Sequence, residues 1–252
     1  MRLTRRTTLG LLAAPLLAGR AFAAGPLTVV ATTGMIADAA QVIGGDMVQV
    51  QALMGPGVDP HAYRQTRTDI VAMTRADLVL WHGLYLEAQM EDFLADLGRK
   101  QSVVAVAEGL PTDVLLGHDE YEGRFDPHVW MDPALWSMVV DQITAALSMA
   151  RPEAADTFTA NAQAYKAQLS ELRDYAADVL SQVPETSRVL LSAHDAFGYF
   201  GSAYGFEVAG IQGISTESEA GLARISELVD FLVARDIGAV FVETSVSDRN
   251  IR

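Results

Sequence analysis

Apolar and polar positions along the chain switch repeatedly between the two-residue period of strands and the three-to-four-residue period of helices. Residues 27–32 form a short β-rich apolar run, and 36–43 then step at helical spacing. Residues 48–53 alternate as a half-buried strand does and end at Met54-Gly55-Pro56-Gly57. The pattern predicts a helix over 66–74, a buried strand over 78–81, a helix over 87–97 and a strand over 102–106. Residues 110–124 read as a loop and 136–149 as a helix. The longest periodic segment is 152–183, where Phe158, Ala162, Tyr165, Leu169 and Leu172 recur every three or four positions. Pro152 suits a first turn and Pro184 marks the stop. A helix of about 30 residues reaches roughly 45 Å, more than one small sheet covers. It predicts a rigid spine joining two lobes. The strand–helix rhythm then resumes, with strands at 188–191, 207–211 and 239–242 and helices at 196–204 and 222–235.

Strands alternating with helices imply parallel sheets covered on both faces. The expected class is α/β, with two parallel-sheet lobes joined by a long spine helix and a ligand site in the cleft between them. The expected division is a signal peptide at 1–23, an N-terminal lobe at 24–149, a linking helix at 150–186 and a C-terminal lobe at 187–252. That last lobe reads as incomplete, ending at Arg252 in an unfinished strand–helix unit.

Composition narrows the chemistry. The chain has 252 residues, half of them hydrophobic, and a net charge of −14, so its surface repels nucleic acid and anionic membrane and concentrates cations. It contains no cysteine, which excludes disulfides, iron–sulfur clusters and thiolate zinc sites. Metal chemistry here rests on histidine and carboxylate. The N-terminus reads as a leader: a basic start, an apolar run too short to span a bilayer, and Ala21-Phe22-Ala23 as a cleavage signal. Thr4-Arg5-Arg6-Thr7-Thr8-Leu9 resembles a twin-arginine export signal with Thr8 where Phe is usual. The expectation is a periplasmic protein that is not lipid-anchored, because no cysteine is present to carry a lipid.

Three histidines stand out. His128 sits in Phe125-Asp126-Pro127-His128-Val129-Trp130-Met131-Asp132-Pro133, between two Asp-Pro steps. Proline fixes its own φ and keeps its predecessor extended, so His128 leaves a stiff backbone suited to a ligand side chain. Asp59-Pro60-His61-Ala62-Tyr63 repeats the pattern 67 residues earlier, and His194 follows 66 residues later in Ser192-Ala193-His194-Asp195. His61 and His194 are expected just beyond strand ends, where ligand crevices of open α/β sheets form. His82 has the same placement without a motif and reads as packing, His118 as solvated, and Tyr63 and Trp130 as walls that dry the site.

Several segments together resemble the metal-specific solute-binding proteins of ABC transporters, the zinc and manganese class: GVDPHAYRQTRTDI, ADLVLWHGLYLEAQM, DPHVWMDP, LLSAHDAFGYFGSAYGFEV and GIQGISTESEAGL. The resemblance runs from about residue 27 to 252. It implies capture of one divalent ion, zinc or manganese, in the periplasm and delivery to the membrane permease of an ABC importer by a monomer. It implies no nucleic acid partner, no small organic substrate and no catalysis. By motif, His61, His128 and His194 match three of the family's four ligands. The fourth, an Asp, belongs to a segment expected beyond Arg252, so the chain resembles a truncated member. A histidine at 194 is similar to a mixed zinc/manganese branch, and the histidine-rich loop of dedicated zinc carriers is reduced to His118.

The donor chemistry agrees. Imidazoles suit zinc and other borderline metals, an added carboxylate makes manganese tolerable, and the Irving–Williams order favours zinc in most geometries. Asp59, Asp126, Asp195 and Glu217 are candidates to accept an imidazole N–H behind the ligands. The competing enzyme reading is a three-histidine zinc hydrolase with an open position for water. Neither HExxH nor GxSxG is present to support a hydrolase. A metal-free binder of an organic molecule would leave three cleft histidines unexplained.

Overall fold

The computed structural model describes residues 25–117, 123–217, 221–235, 237 and 239–246. The leader at 1–23 and His118 lie outside them.

Strands β1 (Leu27–Ala31), β2 (Val48–Ala52), β3 (Leu78–Trp81) and β4 (Val103–Ala105) form one parallel sheet in the order β2-β1-β3-β4. Val29 pairs with Val50 on one side and Leu78 on the other. Successive side chains face opposite ways, so two cores form. Val29, Ala31, Leu78 and Leu80 pack under helices α1 (Gly34–Gly44) and α4 (Pro133–Ala150), with Ile36, Ile43, Val139 and Ile143. Val30, Val79 and Trp81 pack on the other face with Met73 of α2 (Arg67–Arg75) and Leu94 of α3 (Glu91–Gly98). The wholly buried β3 is thus a continuous apolar run rather than an alternating one. Helix α2 opens on a reciprocal capping box between Thr66 and Asp69.

Helix α3 begins at Glu91, not at residue 87 as the periodicity suggests. The turn between β3 and α3 passes through left-handed backbone at Leu84 (φ 51) and Tyr85 (φ 68). The Glu87 carboxylate, itself buried, accepts the N–H groups of His82 (2.8 Å) and Gly83 (3.2 Å) and the Thr32 hydroxyl (2.6 Å). Glu87 therefore ties the turn to β1 instead of starting the helix.

Pro152–Ala154 makes a 3-10 turn before α5 (Ala155–Ser181), whose 27 residues span about 40 Å. Phe158 and Ala162 are buried against α1 and α4, whereas Leu172, Tyr175 and Val179 are exposed. After α5 come β5 (Val189–His194), α6 (Gly198–Tyr204), β6 (Glu207–Gln212) and α7 (Leu222–Ala234). Helix α6 ends on Gly205, whose φ of 72 is the left-handed cap that glycine supplies. β5 and β6 pair in parallel as a second sheet, over a small core of Leu191, Ile211 and Leu228. Two expectations change here. His194 is the last residue of β5 rather than beyond it. Among the described residues 239–242 is not a strand: Phe241 makes one bridge to Ser192 and is itself exposed. No helix among the described residues is long and apolar enough to cross a membrane.

Candidate metal centre

The two Asp-Pro-His sequences fold the same way. Asp59 Oδ1 accepts the His61 backbone N–H (2.9 Å), and Asp126 Oδ1 accepts that of His128 (2.8 Å). Each aspartate closes a turn onto the residue two places on, with a proline that needs no donor partner between them. The second Asp-Pro serves a helix: Asp132 is extended and accepts the Ala134 N–H at the start of α4, with Pro133 in the first turn.

These turns and the end of β5 bring His61, His128 and His194 together, all buried. One ring nitrogen from each lies within 4.8 Å of the others. His61 Nε2 is 3.2 Å from His128 Nε2, and His194 Nε2 is 3.3 Å from it. The far sides of two rings explain this. Asp126 Oδ1 stands 2.7 Å from His128 Nδ1, and the Glu243 carboxylate 2.8 Å from His194 Nδ1. A carboxylate there accepts, so each Nδ1 carries the proton and each Nε2 presents a lone pair toward the centre. Burial, reinforced by the neighbouring histidines, pushes His61 down to about 2, so it is neutral at pH 7. Three ring nitrogens converging on one point suit a cation. Two nitrogens about 2.05 Å from a tetrahedral zinc lie roughly 3.3 Å apart, which is close to the spacing of both pairs that include His128. Among the described residues no carboxylate joins the three imidazoles within that cluster.

The carboxylate candidates divide. Asp126 accepts from an imidazole. Asp59 does not take the imidazole role; it holds the His61 backbone and accepts the Thr216 hydroxyl across the cleft. Glu217 is corrected likewise: it is exposed and accepts from Gln89 Nε2 at 2.7 Å, because the 213–217 loop lies along the first lobe's surface. For Asp195 the backbone N–H donates to Gly213 O (3.2 Å). The acceptor role that the sequence did not assign belongs to Glu243. Its partner is 49 positions away, and the only sequence signal was its place after an apolar run.

The surroundings are firm. Tyr199 on α6 donates to Asp126 O (2.8 Å) and accepts the Leu116 N–H (3.1 Å), pinning the second lobe to the His128 turn. A Cβ at Gly198 would lie 3.0 Å from Asp126 Oδ2, so glycine leaves room for that carboxylate. Trp130 meets His128 edge-on (5.1 Å between ring centres). Tyr63 is directed elsewhere, donating to Asp69 (2.7 Å). A small cavity lies beside His61, lined by Tyr85, Arg124, Phe125, Ile214 and Ser215. The Arg124 guanidinium lies 3.3 Å over the Tyr85 ring.

The comparisons with known proteins fall in one group. MntA of Bacillus subtilis (strain 168), a manganese-binding lipoprotein, is 49% identical over 89% of this chain and 73% of its own length. TroA of Treponema pallidum (strain Nichols), a zinc-binding protein, is 44% identical over 92% and 74%. The solved periplasmic zinc-binding TroA superposes with a TM-score of 0.87, covering 90% of this chain and 81% of that one. These relatives carry the names of metal-binding proteins, and the hydrolase alternative finds no support in them. They overturn one expectation. The unanchored periplasmic protein was read from the lack of cysteine, but lack of a lipid-bearing residue in these 252 positions does not set the family's mode of tethering, and MntA is a lipoprotein. The family described as ZnuA, zinc-uptake complex component A, periplasmic, matches residues 29–252, and the chain belongs to it.

Proposed function

We propose that the protein captures one divalent metal ion, zinc or manganese, through His61, His128 and His194 and hands it to the membrane permease of an ABC importer. The observation that carries this is the convergence of three buried imidazole nitrogens, two of them with their protons directed away onto Asp126 and Glu243. The ion is cargo, not a catalyst. The protein works as a binding component rather than an enzyme, in line with MntA and TroA being binding proteins by name. We take 24–149 and 187–252 as the two lobes that close on the ion and 150–186 as their link. Thr216 on Asp59, Gln89 on Glu217 and Tyr199 on Asp126 are contacts between these two lobes. Three neutral imidazoles favour zinc over manganese, which prefers harder oxygen donors.

Calorimetric titration after dialysis against chelator tests the reading. One equivalent of zinc should bind, more tightly than manganese, and His61→Ala, His128→Ala and His194→Ala should each weaken zinc by orders of magnitude. Unchanged affinity in two of the three variants contradicts the assignment.

A further inference from the structure

His82 is a buried histidine that metal capture leaves unused. It follows β3, is fully buried, and its backbone N–H is held by Glu87. Its Nε2 lies 2.6 Å from Pro127 O. A carbonyl only accepts, so the proton is on Nε2, and Nδ1 is buried with no hydrogen-bond partner among the described residues. Leaving a ring nitrogen unsatisfied in a dry interior is unfavourable, and a leucine of similar size would avoid it. What leucine lacks is the donor at the reach of Nε2.

That donor acts on the residue just before His128. The Pro127 carbonyl also accepts the Val129 N–H (2.8 Å), so two donors fix the peptide from which His128 leaves. On its other side the His82 ring meets Trp130 edge-on (5.3 Å, 88°), and Trp130 meets the His128 ring (5.1 Å, 67°). His82 therefore holds the His128 turn at the peptide before it and at the indole two residues after it. The Glu87 carboxylate anchors His82 and Gly83 to Thr32, the residue that follows β1. Gly83 sits at φ +83 with Glu108 Cγ 2.8 Å from where a Cβ would be, so the residue after His82 has to be glycine for the turn to take this path.

We propose that His82 is a positioning residue of the metal centre, setting the reach and plane of the His128 imidazole through the Pro127 carbonyl and Trp130, with Glu87 holding His82 in place. This rests on metal capture by the same site. Groups that orient metal ligands typically change affinity 10–100-fold when removed.

The test compares wild type, His82→Leu and His82→Gln by chelator competition with zinc and by the visible spectrum of the cobalt(II)-loaded protein. His82→Leu should lose about 10–100-fold in zinc affinity and shift the cobalt bands. His82→Gln, whose amide nitrogen reaches the same carbonyl, should recover most of the affinity and the wild-type spectrum. A purely structural role would not restore the spectrum with the donor. A variant too unstable to load is covered by a measurement on wild type: long-range proton–nitrogen correlation should show His82 as the neutral Nε2-protonated tautomer before and after zinc. An Nδ1-protonated His82 overturns the proposal. So does wild-type affinity with an unchanged spectrum in His82→Leu, or a His82→Gln that behaves like His82→Leu. A wild type that binds neither metal overturns metal capture and the positioning role together; one that binds both, beside an indifferent His82→Leu, overturns the positioning role alone.

Discussion

At the scale of single residues, the centre depends on which ring nitrogen carries the proton. Asp126 and Glu243 each accept both the backbone N–H and the Nδ1 proton of one histidine. The bare Nε2 atoms then face inward, and the two carboxylates fix the planes of their rings. Asp126→Asn and Glu243→Gln keep the shape and remove the charge. Each should weaken zinc about 10-fold or more in a chelator competition. Affinities unchanged in both variants would show that the carboxylates only brace the backbone. Asp126 was legible in the sequence because its bonds are local, reaching two residues along a proline-stiffened turn. The bond of Glu243 to His194 was not, because it needs the chain after α7 to return beside β5. His82 was legible as a buried residue but not as a donor to Pro127, 45 positions away.

At the scale of elements, the alternation of strands and helices was readable throughout the first lobe, because each apolar period is long enough to bury a face. The beginning of α3 was not. Residues 87–90 carry helical periodicity, but the buried Glu87 side chain bonds the backbone of His82 and Gly83, and the left-handed Leu84 and Tyr85 delay the helix. Helix α5 divides in two. Phe158 is wholly buried near its start, and Leu172 is half exposed farther along. Phe158→Ala should cost about 3–5 kcal/mol by denaturant unfolding, because it opens a cavity where α5 meets α1 and α4. Leu172→Ala should change stability by less than about 1 kcal/mol. Equal losses in the two variants would mean that the outer half of α5 is packed as firmly as the inner half.

At the scale of the whole molecule, buried neutral histidines link folding to pH. Burial is the main cause that lowers His61 to about 2 and His82 to about 3, against 6.5 for the ordinary group. Between those values the unfolded chain binds protons that the folded chain refuses. The stability is therefore fully present above pH 6.5 and is lost as pH falls toward the folded values. Each histidine adds a slope of about 1.4 kcal/mol per pH unit in that window. The metal-free protein should show a falling denaturant midpoint from pH 7 to pH 5, and His82→Leu should show a shallower fall. A midpoint independent of pH across that range contradicts the burial of these rings. The two-lobed plan was legible from the long period of α5, whereas contacts between the lobes, such as Tyr199 on Asp126, were not, since they join residues 73 positions apart. The central claim is that three imidazoles from both lobes hold one ion, and X-ray absorption at the zinc edge of the zinc-loaded protein tests it most directly. Three imidazole nitrogens at about 2.0–2.1 Å, reduced to two in His194→Ala, are the expected result. A shell dominated by oxygen, with one imidazole or none, would contradict it.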